Sequence, residues 1–236
     1  MMTFKLRRRP QVDDSFLPAD IPARLRQIYA SRGITHVDEL NRSASSLLAP
    51  QGLKDLPQAL ALLTDALQQQ QRIIIVGDFD CDGATSTALM TLALRAMGAH
   101  NVAYLVPNRF EYGYGLSPEI AMLAAQQNAE LLITVDNGIS SLAGVETARR
   151  QGMKVLITDH HLPGTELPQA DAIVNPNQQG CGFGSGNLAG VGVAFYLMAA
   201  LRSHLLQLGW FTQQNITAPN VADYLDLVAL GTVADV

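Results

Sequence analysis

Three short stretches, Arg72-Ile-Ile-Ile-Val76, Leu131-Leu-Ile-Thr-Val135 and Lys154-Val-Leu-Ile-Thr158, restrict the possible fold more than anything else in the chain. A strand with one wet face alternates apolar and polar residues. Runs that stay apolar at nearly every position need cover on both faces, the condition of strands inside a parallel sheet. Helical spacing fills the gaps, as in Leu56, Ala59, Leu60, Leu63 and Leu67 within Asp55–Gln69. The predicted order continues with a strand at Ile73–Gly77, a helix from about Ala84 to Met97 and a strand at Val102–Val106. A helix opened by Ser117-Pro118-Glu119 follows, with an N-cap and a first-turn proline. Then come the strand Leu131–Val135, a helix near Ser141–Gln151, the strand Lys154–Thr158 and a short strand at Ala172–Val174. Such alternation implies an α/β fold: a parallel β-sheet flanked by helices on both faces.

Chemistry-bearing residues stand where these strands run out. Asp78, Asp80 and Asp82 lie in GDFDCDG, Asp136 in VDNG, and Asp159, His160 and His161 in ITDHH. Ligands of parallel sheets sit beyond the carboxyl ends of the strands, near a switch in strand order, so Asp78, Asp136 and Asp159 share the functional edge. Three acids in five residues repel one another unless a cation neutralises them. An EF-hand is excluded, because the twelfth position from Asp78 is Leu89 rather than Glu. Adjacent residues in a loop point differently, so one histidine of the pair can ligate metal while the other faces substrate. Asp235, at the end of a helical apolar stretch (Tyr224, Leu225, Leu227, Val228, Leu230), can close the shell. Oxygen ligands with one or two imidazoles suit a pair of divalent cations such as Mn²⁺ or Mg²⁺. A pair of that kind clamps a phosphoryl centre and activates water at neutral pH, which points to a phosphoesterase. His36, His100 and His204 have no such company and read as structural or solvent-facing.

Other features leave alternatives open. Gly180, Gly182, Gly184, Gly186, Gly190 and Gly192 approach an apolar helix at Leu188–Leu201; their amides suit a phosphate, or the glycines only permit close packing. Arg109 offers a fork of donors to a phosphate, and Tyr114 a ring on which a base can stack or simple packing. Residues 1–50 read as an extension: a basic arm, then short helical stretches around Arg24–Ala30 and Val37–Asn41. Half of the 16 Lys and Arg fall in the first 42 residues. The formal charge of −5 argues against a polyanionic partner until the six clustered acids are set aside, when the balance turns slightly positive. Two cysteines, Cys81 and Cys181, cannot frame a disulfide-rich fold or a four-cysteine zinc site, which favours a reducing cytoplasm. The longest apolar run is short and glycine-rich, so no membrane span is expected.

The stretches VGDFDCDGATSTA, YLVPNRFEYGYGLS, TVDNGIS, TDHH, NPN, LAGVGVAFYL and LDLVALGTVADV, in that order, resemble the DHH phosphoesterase family, in particular its branch of single-strand-specific 5′→3′ DNA exonucleases. The likeness covers nearly the whole chain, with the DHH domain at 51–236. It implies two Mn²⁺ or Mg²⁺ ions held by Asp78, Asp80, Asp82, Asp136, His160 and Asp235, with Asp159 in support and His161 near the scissile phosphate. Single-stranded DNA is the implied substrate, with a single-strand-binding protein and a helicase as implied partners in recombination and repair. Cys81 stands where members usually carry Ala or Val, and Tyr112 where they carry an acid. Members of the branch continue into DHHA1 and OB-like domains, so a fragment with weak activity of its own is expected. A relative acting on short oligonucleotides or small phosphoesters, or an inactive truncated form, is the alternative.

Overall fold

The computed structural model of the 236-residue chain describes residues 10–41, 43, 46–108 and 113–235; Arg109 and Tyr112 lie outside the described residues. Contacts divide the chain into two units, 1–48 and 49–236. The first holds α1 (Ala23–Ser31) and a 3₁₀ turn at Val37–Leu40. His36 caps that turn, its side chain accepting from the Asp38 amide while Glu39 reaches back to the His36 amide.

The second unit runs α2 (Leu56–Gln68), β1 (Ile73–Val76), α3 (Cys81–Ala96), β2 (Val102–Leu105), α4 (Pro118–Gln126), β3 (Leu131–Val135) and α5 (Leu142–Arg150). It continues with β4 (Lys154–Thr158), β5 (Ala172–Val174), α6 (Gly190–Gln207), α7 (Trp210–Gln213) and α8 (Leu225–Ala234). All five strands are parallel, in the order β2-β1-β3-β4-β5. Because successive side chains alternate across a strand, the two faces build two cores. Ile73, Ile75, Leu131, Ile133 and Val135 pack with Leu63 and Leu67 of α2, Met90 and Leu94 of α3 and Leu197 of α6. Ile74, Val76, Leu132, Val155 and Ile157 pack with Ile120 and Ala124 of α4 and Val145 of α5. Helices therefore cover both faces, as the unbroken apolar runs require.

Edge strand β2 departs from the expected double burial. Tyr104 is 59 % exposed, because a sheet edge has a neighbour on one side only. Two helices also begin or end away from the predicted positions. The α3 helix starts at Cys81 rather than Ala84, with Asp80 as its N-cap; α6 runs on to Gln207. Among the described residues no helix is long and apolar enough to cross a membrane.

Strand order then fixes where ligands can gather. The chain leaves β1 for β2 on one side and later returns to β3 on the other, so the switch point lies between β1 and β3. In register, Val76 faces Thr134 and Val135 faces Thr158. Asp78, Asp136 and Asp159 thus leave the same edge at nearly the same height.

Candidate metal centre

The β1 loop delivers three carboxylates in three different settings. Asp78 is buried and accepts the Phe79 amide (2.8 Å). Asp80 caps α3 by accepting the Gly83 amide (2.9 Å). Asp82 lies inside the first helical turn, favoured there by the helix dipole. The turn closes only with glycine at 83, where a Cβ would stand 2.6 Å from the Asp78 carbonyl oxygen.

Asp82 reaches across the fold. Its Oδ2 accepts the Gly190 amide (2.6 Å) and its Oδ1 the Val191 amide (2.9 Å), so it caps the start of α6 from a distant part of the chain. Of the two readings of Gly190 and Gly192, phosphate contact or close packing, this arrangement favours the second. The Gly190 amide is given to Asp82, and the Gly192 amide to the Ala189 carbonyl (2.9 Å). The glycine at 190 serves close approach instead: a Cβ would meet Cβ and Oδ1 of Asp136 at 2.7 Å.

Asp136 follows β3 with a left-handed backbone, φ 60°, which costs a non-glycine residue about 1–2 kcal/mol. Several bonds hold it there. Its amide donates to the Thr158 carbonyl (3.1 Å), and its own carbonyl accepts the Tyr114 hydroxyl (3.2 Å). Beside it, Asn137 Nδ2 donates to the carbonyls of Val76 (3.0 Å) and Val135 (2.9 Å).

After β4, Asp159 spends both oxygens on protein donors. Oδ2 takes the Ile139 amide (2.9 Å); Oδ1 takes the amides of His160 (2.8 Å) and His161 (3.1 Å) and sits 2.7 Å from His161 Nδ1. A carboxylate only accepts, so His161 carries its proton on Nδ1. Its Nε2 turns to the cleft, 3.4 Å from the Tyr114 hydroxyl. Asn177 and Asn175, beyond β5, hold this loop through the His160 (2.5 Å) and His161 (3.0 Å) carbonyls.

His160 stands amid the acids. Its Nε2 is 3.1 Å from Asp136 Oδ1 and 3.8 Å from Asp82 Oδ2, and its Nδ1 is 3.8 Å from Asp235 Oδ2. Asp235 comes from the C-cap of α8. Three donor groups lie within 4.8 Å of one another: Asp136, His160 and His161; Asp82, His160 and Asp235; Asp78, Asp80 and Asp136. Because His160 and Asp136 each belong to two of these groups, neighbouring cations held there would share ligands. A cavity of about 770 Å³ opens on the cluster, lined by Asp78, Asp80, Tyr114, Ser140, His161 and Leu162 among others. The exposed Leu162 and the Ser140-Ser141 pair, whose hydroxyls could donate to a bound anion, were passed over by sequence reasoning.

The residues fit divalent cations. Asp136 Oδ1 is buried, with His160 Nε2 3.1 Å away. One imidazole facing several carboxylates leaves this buried oxygen short of positive charge. Burial pushes the Asp136 carboxyl up to about 7, against the pull of His160 and with a further push from Asp82. Burial likewise raises Asp82, offset in part by the Val191 and Gly190 amides. Burial would raise Asp159 too, but hydrogen bonds from His161 and Ile139 hold it below the usual carboxylate range. The same hydrogen bond lifts His161 to about 9, against its own desolvation.

Fold and site define an α/β domain with a carboxylate–imidazole cation centre at its switch point. Residues 72–232 match the N-terminal domain of the DHH family, and the chain belongs to that family. It is 58 % identical over 232 residues to a single-stranded-DNA-specific exonuclease RecJ of Dickeya dadantii, covering 98 % of this chain and 40 % of that protein. A crystal structure of exonuclease RecJ bound to manganese is 36 % identical with a TM-score of 0.66, covering 80 % of this chain and 45 % of that one. RecJ in complex with Mn²⁺ from Thermus thermophilus is 32 % identical with a TM-score of 0.66, over 88 % of this chain and 28 % of that one. The chain thus spans about 40 % of the length of its enterobacterial relatives of this kind.

Proposed function

We propose that the chain is the N-terminal catalytic portion of a metal-dependent 5′→3′ exonuclease that hydrolyses single-stranded DNA in recombination and repair. The observation that carries this reading is the meeting of Asp78, Asp80, Asp82, Asp136, His160 and Asp235, from four separate elements, at one sheet edge. Those six residues would hold two divalent cations, Mn²⁺ or Mg²⁺. When bound, the cations supply the charge that polarises a phosphoryl group and activates water near neutral pH. The similarity to RecJ exonucleases, including ones bound to manganese, supports that choice of cation and substrate.

The chain's own residues then divide the remaining work. Asp159 is a positioning residue, holding His161 by its Nδ1. His161, charged at neutral pH, presents Nε2–H to the cleft and donates to a phosphoryl oxygen, stabilising charge that develops there. Tyr114, anchored through its hydroxyl and half exposed, offers its ring as a wall for a base. Arg109 keeps its proposed phosphate contact. The domain division at 51, a cytoplasmic setting and partners of the single-strand-binding and helicase kind complete the reading.

Asp136→Ala tests it: Mn²⁺-dependent release of mononucleotides from long single strands should vanish while the circular dichroism spectrum is kept. Cleavage of dinucleotides but not of long strands would assign the chain to the family's small-substrate members. Unchanged turnover in the variant would remove Asp136 from the mechanism.

A further inference from the structure

Asn137 looks in the sequence like half of an Asn-Gly turn, yet the structure buries it completely. Its Nδ2 divides its two protons between the carbonyls of Val76 and Val135, at 3.0 and 2.9 Å. Those carbonyls end β1 and β3, the strands on either side of the switch point. One leads into the loop of Asp78 and Asp80; the other immediately precedes Asp136. Oδ1 of the same side chain is buried and accepts no hydrogen bond, so only the donors of the amide are in use.

We propose that the Asn137 side chain is a positioning group for the cation centre. It ties the carbonyl ends of two paired strands together just beyond their last register pair, and so sets the spacing at which Asp78, Asp80 and Asp136 gather within 4.8 Å. It also steadies Asp136 in its left-handed backbone, φ 60°, by gripping the peptide just before it. A serine is too short to span both carbonyls, and an aspartate offers no donors at neutral pH; both requirements single out the primary amide. This inference rests on the cation-binding reading above.

Mn²⁺ titration calorimetry on the full chain tests it, comparing wild type with Asn137→Ala, Asn137→Ser and Leu63→Ala at temperatures where each is folded. Asn137→Ala should bind Mn²⁺ about 10- to 100-fold more weakly, the range seen when groups that orient ligands are removed. Asn137→Ser, keeping one short donor, should fall between. Leu63→Ala opens a cavity in the core beside α2; it should melt at lower temperature yet bind Mn²⁺ as wild type does. Wild-type affinity in the Asn137 variants overturns the proposal and leaves the cation centre standing, as does an equal loss in Leu63→Ala. Absence of Mn²⁺ binding by wild type overturns the cation reading itself. Should Asn137→Ala not fold, Asn137→Ser carries the comparison with the same outcomes.

Discussion

Replacing Gly190 with alanine sets two physical effects against each other, and the structure decides which wins. In an ordinary helix the change favours folding by roughly 0.5–1 kcal/mol, because glycine loses more backbone freedom. At this position the new Cβ would stand 2.7 Å from Cβ and Oδ1 of Asp136 and 2.9 Å from its Cγ. Neither side can retreat easily. The start of α6 is tied to Asp82 through the amides of Gly190 and Val191; Asp136 is tied through its own amide and carbonyl. Overpacking of that kind costs about 1–3 kcal/mol, so the net change is a loss of up to about 2.5 kcal/mol. For a domain of this size each kcal/mol lowers Tm by about 2–4 °C. The larger effect falls on Asp136, whose displaced carboxylate should weaken Mn²⁺ binding by about tenfold or more. Differential scanning calorimetry reads the first quantity and Mn²⁺ titration the second. A Tm equal to or above that of wild type, with unchanged Mn²⁺ affinity, would refute the packing described around Asp136.

Cation binding should release protons, because a carboxyl lifted to about 7 is partly protonated at neutral pH and must ionise to ligate. Mn²⁺ affinity should therefore fall as pH drops below 7; a flat profile from pH 8 to 6 would contradict it. The pair of His161 and Asp159 gives a second pH signature. His161 is raised from 6.5 to about 9, so its contribution to stability is complete below 6.5 and lost as pH rises through 9. Asp159 is lowered from 3.8, so its contribution is present above 3.8 and lost as pH falls through its folded value. The stability difference between wild type and His161→Gln, from urea unfolding, should peak between those limits and shrink by pH 9.5. Asp82→Ala should destabilise the chain, since two buried amides at the start of α6 lose their acceptor at about 1–3 kcal/mol each; an unchanged urea midpoint would show that α6 does not need this cap.

The sheet was legible in the sequence because its central strands are apolar at almost every position, a pattern that few arrangements besides a doubly covered parallel sheet can use. Asp78, Asp136 and Asp159 were legible for the same reason: a residue directly after such a run must lie at the carboxyl edge. What failed to show were long-range demands of the fold on local sequence. The start of α3 was misplaced because the acids at 80 and 82 read as cation ligands on a loop ahead of the helix, when one is its cap and the other a first-turn residue. The glycines at 190 and 192 read equally as a phosphate cradle or a close-packing stretch, since nothing local announces that Asp82 takes the Gly190 amide. Asn137, Asn175 and Asn177 each donate to a carbonyl that tertiary structure brings to them. Asp235 is a lone acid on a short helix, and it joined the cluster only in company with the other acids and through family likeness, before the fold placed it near His160.

Asp235 also couples loading to architecture. Within α8 Gly231 is buried against Thr85 and Asp82, Leu225, Leu227 and Val228 pack partly buried on the core, and Leu230 and Val233 face outward. A terminal helix held by one face can open locally while the sheet stays folded. An ion shared between Asp235 and His160 would rivet its far end to the sheet, and mass action would add the binding free energy to the helix's resistance to opening. Amide exchange in this last segment would then track Mn²⁺ concentration, making its mobility a gauge of site occupancy.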